Sequence, residues 1–198
     1  FQEHKEQYQT HLLAPTRALG EQVYEALHAA FPKEPFLLKL SRIYRDARRL
    51  HGNGPYKDHL WFCVRAGGED WTGRPTFYFE IGPDYYSYGM GFWAPKAALI
   101  EAYRKAVDEH PEVLEKLVKR FNKQAQFTLS GPEYARKKTA PSPLLAAWYN
   151  KKSINLQHDA APDERMFSQE LAQDIIEGFR TLMPLYKYFD ALCAAEMV

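Results

Sequence analysis

Four stretches with a hydrophobic period of two, 40–46, 59–66, 75–82 and 85–94, follow one another with only short turns between them. Asn53-Gly54 divides the first two, the Gly-rich run from Ala66 to Gly73 the next pair, and Gly82-Pro83-Asp84 the last. Parallel pairing needs a crossover of about a dozen residues or more, so these strands are expected to form an antiparallel meander. On either side the period is helical. Residues 2–13 are polar, with Tyr8 and Leu12 on one face. Pro15 then fits the first turn of a helix carrying Leu19, Val23, Ala26, Leu27 and Ala30, ended by Phe31-Pro32. Downstream, Pro95 and Pro111 open two helices and Ser142-Pro143 a short third, while Ser168 caps a fourth that Pro184 restarts. Strands grouped between runs of helix mean α+β. The expectation is one domain over 1–198: N-terminal helices in 1–31, an antiparallel sheet of four strands or slightly more in 40–94, and a mainly helical part over 95–198.

With 198 residues, 45% of them hydrophobic, the chain can bury one substantial core. Its formal net charge of +1 argues against wholesale binding to nucleic acid or membrane, so any such site must be local. No apolar run approaches the ~20 residues of a membrane helix, and the cytoplasm is the default location. The first residue is Phe1 rather than Met, which leaves room for a preceding segment. Cys63 and Cys193 read as two buried reduced thiols, with a long-range disulfide as the alternative.

Alternation sorts the strand residues onto two faces. Leu60, Phe62 and Val64, Phe77, Phe79 and Ile81, and Tyr86, Tyr88, Met90 and Phe92 should meet the helices. The opposite rows are mixed: Arg42, Tyr44 and Asp46; His59, Trp61, Cys63 and Arg65; Tyr78 and Glu80; Ser87, Gly89 and Gly91. Two glycines in one row leave a bare floor that a ligand or another backbone can approach. One reading is therefore a groove floored by Gly89 and Gly91, walled by Tyr44, Trp61 and Tyr78, with Arg42, Lys57 and Arg65 as anion donors. The competing reading is an amphipathic sheet whose second face is covered by the C-terminal helices, its arginines paired with Asp46 and Glu80.

From Lys39 to Lys57 the chain holds six cations (Lys39, Arg42, Arg45, Arg48, Arg49, Lys57) against one acid, Asp46. Such a local excess calls for an anion, either a partner or the protein's own carboxylates. Later basic runs, Arg136-Lys137-Lys138 and Lys151-Lys152, extend the surface only if the fold brings the segments together. The seven histidines include no His-x-x-x-His pair, and there is no Cys-x-x-Cys, so no metal is expected. Gly89-Met-Gly91 lacks the third glycine and following helix of a dinucleotide fingerprint, and neither a P-loop nor a Gly-x-Ser-x-Gly elbow is present; no cofactor is expected. His59 and Cys63 share a strand row but lie about 13 Å apart along it, too far for a nucleophile–base pair.

Arg42-Ile-Tyr-Arg-Asp46, Pro55-Tyr-Lys57 and Tyr88-Gly-Met-Gly91 together resemble the family catalogued as domain of unknown function number 2461, found in bacteria and fungi. The similarity extends over nearly the whole chain. It includes Phe1–Tyr8, Leu129–Lys138, Trp148-Tyr149 with Lys152, and Phe179–Tyr188. The turn Arg49-Leu-His-Gly-Asn-Gly54 departs from the family's Phe-Ser-x-Asp-Lys type, and Asp58 stands where Thr is frequent. The family supplies no established activity. The resemblance implies only that its Arg, Asp, Tyr and Lys residues act together, as a ligand site or as a structural ion-pair network.

Three functional readings follow. In the first, a binding module captures a phosphate, nucleotide or carboxylate: Arg42, Arg45 and Lys57 give charge-assisted bonds, Asp46 orients an arginine, Tyr56 and Tyr88 add hydroxyls, and Gly89 clears the floor. In the second, a hydrolase or transferase uses the same cleft, with Asp46 or His59 as general base and Lys57 stabilising developing negative charge. The third is an interaction module for nucleic acid or protein, ranked below the others.

Overall fold

Phe36-Leu-Leu-Lys-Leu40, rather than 40–46, supplies the first strand. The structure, a computed structural model, describes residues 1–46, 48, 54–68 and 71–195. Strand β1 (Phe36–Leu40) pairs with β2 (Leu60–Ala66), which continues through β3 (Pro75–Ile81) and β4 (Tyr86–Phe92) as the expected antiparallel meander. Beyond Leu40 one further bond, Ser41 N–H to Trp61 C=O at 2.8 Å, extends the pairing before the chain leaves the sheet. The aliphatic side chains of β1 give it an apolar face to bury. The charged Arg42–Asp46 run has none, so its alternation does not make a sheet strand. The predicted turn residue Asn53 and the cation Arg49 lie outside the described residues.

Two strands appear in the part expected to be mainly helical. β5 (Thr128–Ser130) and β6 (Asn155–Ala160) join the far edge, giving a six-stranded antiparallel sheet in the order β1-β2-β3-β4-β6-β5. The molecule is a single α+β domain.

The first helical rod runs from Gln2 through α1 (Lys5–Tyr8) and a π-turn at Gln9–Leu13 into α2 (Ala14–Ala30) without a break. Pro15 lacks the N–H that a regular turn would donate back along the rod, and the wider π-turn just before it absorbs that loss. Thr16, Gly20, Val23 and Leu27 are the buried stripe of α2, which packs on β1 and β2. Helices α3 (Ala97–Glu109) and α4 (Pro111–Phe121) bury Leu99, Tyr103 and Val107, and Leu114, Val118 and Phe121. α5 (Ala146–Tyr149) is a single turn preceded by a 3-10 turn, and Ser142 makes no cap bond there. α6 (Gln169–Ala195) follows Ser168, whose Oγ accepts from Glu170 N–H at 3.2 Å. It runs unbroken through Pro184, where a restart was expected.

Rings seal α6 to the sheet. Phe77 stacks on Phe179 and Tyr186 with centroids 4.8 and 4.9 Å apart, and Phe92 meets Phe189 edge-on at 5.6 Å. Phe77 and Phe92, the two strand residues in these contacts, both belong to the apolar rows read from alternation, so the core lies on one side of the sheet. Cys63 and Cys193 are both buried thiols, and Cys193 Sγ–H donates to Gly73 C=O at 3.6 Å. Among the described residues no helix is long and apolar enough to cross a membrane.

Candidate functional site

Among the described residues no helix covers the sheet face turned away from α2 and α6; this face floors a groove of about 1170 Å³. Strand register orders this floor into rows. One reads Trp61, Glu80, Ser87 and Asp159 across β2, β3, β4 and β6. The next reads Lys39, Cys63, Tyr78, Gly89 and Gln157, and the third Arg65, Thr76, Gly91 and Asn155. Tyr78 Oη and Ser87 Oγ share a hydrogen bond of 3.3 Å, and burial pushes the Tyr78 phenol up to about 12. Burial likewise raises the Cys63 thiol to about 11, which makes it an unreactive neutral group.

One rim of the groove is the segment between β1 and β2. It folds back on itself through the Tyr44–Tyr56 bridge, with Arg45 N–H on Pro55 C=O and Lys57 N–H on Ile43 C=O, each 2.8 Å. An aromatic cluster holds it from outside: Phe1 lies 4.4 Å from the Tyr56 ring and 6.2 Å from Tyr44. Three cations stand on this rim, and main-chain carbonyls accept the close hydrogen bonds of two of them. Arg45 Nε donates to Tyr56 C=O at 2.8 Å, and its Nη2 forms a longer ion pair with Asp58 Oδ1 at 3.8 Å. Lys57 Nζ donates to Arg42 C=O at 2.9 Å and sits 5.7 Å from the centre of the Trp61 ring. The Arg42 guanidinium is exposed, with no partner among the described residues. Burial, then the neighbouring charge of Arg45, holds the Lys57 ammonium below its ordinary 10.5.

The acids on this side are differently placed. Asp46 takes Arg48 Nε and Nη2 at 3.0 and 2.7 Å and the Arg48 N–H at 3.0 Å. Its side chain is 39% exposed, so it is paired without being buried. His59 Nδ1–H donates to Asp58 Oδ1 at 2.9 Å, and that bond is the main cause holding the Asp58 carboxyl below its usual range. Glu80 accepts from Tyr85 Oη–H at 2.5 Å, and Asp159 from Gln157 Nε2–H at 2.6 Å.

Of the residues singled out from sequence, Arg42, Arg45, Asp46, Lys57 and His59 line the groove together. Others do not. Tyr56 turns its ring to Phe1 and Tyr44. Tyr88 is on the opposite, helix-packed face, 2% exposed, its Oη accepting from Gln126 Nε2–H at 2.9 Å; strand alternation forbids it a place in the groove. Gly89 lies in the middle row, but a Cβ there would collide with the Leu156 carbonyl oxygen, so its bareness serves the approach of β6. Arg65 stacks over Trp71 at 4.7 Å and donates Nη1–H to Ala66 C=O at 3.0 Å; its Nε is buried without a partner.

Asn155, Gln157 and Asp159 line the groove and were missed, because β6 was not recognised. Their signal was the alternation of these polar residues with Leu156, His158 and Ala160. The later basic runs meet each other rather than the groove. Lys152 N–H reaches Pro132 C=O at 2.7 Å, and Glu133 takes Lys137 and Lys151 at 2.8 and 3.1 Å. Among the described residues no three His, Cys, Asp or Glu side chains converge as metal ligands.

Comparison with known proteins agrees with the early resemblance. A family model described as conserved hypothetical protein (DUF2461) matches residues 1–188. No curated protein matches the chain. With all but the last turns of α6 inside that match, the chain belongs to the DUF2461 family of conserved hypothetical proteins.

Proposed function

We propose that the groove is a binding site for a small anionic ligand, a phosphate, nucleotide or carboxylate, held at the rim by Arg42, Arg45 and Lys57. The observation that carries this reading is how those cations are held. Two give their close hydrogen bonds to main-chain carbonyls, and the third has no partner among the described residues. Arg45 also meets Asp58 at 3.8 Å, whereas Arg42 and Lys57 form no ion pair among the described residues, so cationic charge remains at the mouth of an open groove. A structural ion-pair network would instead cancel it, as Arg48 does with Asp46. Charge-assisted hydrogen bonds to phosphate or carboxylate are the strong ones, and guanidinium is suited to them.

Arg42 gives the clean test. Arg42→Ala removes no side-chain bond among the described residues, so melting temperature should not change in the absence of ligand. Affinity for inorganic phosphate, read by calorimetry, should fall about tenfold, the size expected for one charged contact. Wild-type protein that shows neither heat of binding nor a thermal shift with any phosphate or carboxylate would end this reading.

A second reading draws on the Asp58–His59 couple. A carboxylate on Nδ1 orients the imidazole and leaves Nε2 for proton transfer, and His59 lines the groove beside Lys57. In a hydrolase or transferase of this kind His59 is the general base and Lys57 the electrostatic stabiliser, while Asp46 is occupied by Arg48.

A further inference from the structure

The groove has a second pole. Starting beneath Lys57, the row Trp61, Glu80, Ser87, Asp159 runs inward across four strands, a span of about 14 Å at the usual strand spacing. Neither Glu80 nor Asp159 has an ion-pair partner among the described residues, and each accepts one bond from a neutral donor, Tyr85 or Gln157. An ionised carboxylate accepts only and has about four lone-pair positions, so both retain unused acceptor capacity facing the groove. Inorganic phosphate carries its only hydroxyls on the anion itself and a simple carboxylate has none, so neither reaches from the cationic rim to both acids, and the two acids repel either one. A ligand that satisfies both ends carries an anion at one end and several hydroxyls behind it.

We infer, resting on the anion-site reading above, that the ligand is a phosphorylated polyol, either a free sugar phosphate or the sugar phosphate of a nucleotide. Its phosphate sits among Arg42, Arg45 and Lys57. Its hydroxyls donate to Glu80 and Asp159, and the Ser87 hydroxyl between them serves as donor or acceptor. The Trp61 ring at the head of the row offers the apolar face of the sugar a surface, with the Lys57 ammonium above it. A cationic amine could also answer the two acids. The neutral groups that flank them, Ser87, Gln157 and Asn155, instead match hydroxyls that both give and accept.

Titration calorimetry at fixed salt separates the possibilities, using inorganic phosphate, ribose phosphate, glucose phosphate, adenosine monophosphate, free ribose and phosphoethanolamine. Sugar phosphates should bind about tenfold or more tighter than inorganic phosphate, because a site built for hydroxyls discriminates against ligands that lack them. The Glu80→Gln/Asp159→Asn double variant should erase that advantage while binding inorganic phosphate at least as well as wild type. Asp159→Asn alone, at an exposed position, provides the same comparison should the double variant fold poorly. Tighter binding of adenosine monophosphate or of a free sugar phosphate identifies the source, and either supports the inference. Equal affinity for inorganic phosphate and the sugar phosphates overturns it yet leaves the anion site standing, as does a preference for phosphoethanolamine. Failure of every phosphate to bind removes the anion site itself.

Discussion

Arg42, Arg45 and Lys57 come from one short segment, yet each is held in its own way, and that decides how each responds to change. Arg42 spends nothing internally, whereas Lys57 is tied to the Arg42 carbonyl and partly desolvated. Because the folded Lys57 loses its proton below its ordinary 10.5, the unfolded chain holds more protons in the interval between the two values. Protein without ligand should therefore gain slightly in stability as pH rises through that interval, while phosphate binding weakens as the ammonium discharges. Lys57→Arg should abolish the alkaline loss of binding, and calorimetry across the alkaline range reads it. Gly89 makes the opposite kind of contribution. Gly89→Ala should cost about 2–3 kcal/mol or more in urea unfolding, because the new methyl meets the Leu156 main chain, which cannot yield as a side chain can. A change under ~0.5 kcal/mol would contradict this account. Alternation in the sequence placed Gly89 on the correct face and identified its need for close approach, but not which neighbour approaches.

At the scale of elements, α6 packs on β3 and β4, and its attachment is polar as well as aromatic. Arg74 donates Nε–H and Nη2–H to Asp190 Oδ1 at 2.9 and 2.5 Å, with the two side chains only 21% and 22% exposed. Asp190→Ala strands a half-buried guanidinium at the start of β3 and should lower stability by about 2 kcal/mol, read from denaturant unfolding. Pro184 shows why a local signal failed. A proline ordinarily ends or kinks a helix, but Leu182, Met183, Leu185 and Tyr186 around it are all buried, and their packing offsets the lost backbone bond. The β1 discrepancy has a similar origin. Arg42–Asp46 alternates like a strand, yet the apolar Phe36–Leu40 competes for the same edge of β2 and buries more.

Seen whole, the molecule is a one-sided sheet: helices and rings on one face, a charged and polar groove on the other. With a net charge of +1 there is no global field to hold a polyanion, and the later basic runs are partly neutralised by Glu133 and do not line the groove. Duplex DNA at physiological salt should give no mobility shift, and a shift that Arg48→Glu removes would favour the interaction-module reading instead. Side-chain alternation is a local steric property, repeated residue by residue. The sequence alone therefore determined the faces of β2, β3 and β4, their antiparallel order through short turns, and the concentration of cations before β2. Only the tertiary structure decided that β6 lies beside β4, that Asp159 aligns with Glu80, and that no helix among the described residues closes the groove. Those outcomes depend on contacts between segments far apart in the chain, such as Gly89 with Gln157, whose formation is set by the competition of whole surfaces for burial rather than by any local pattern.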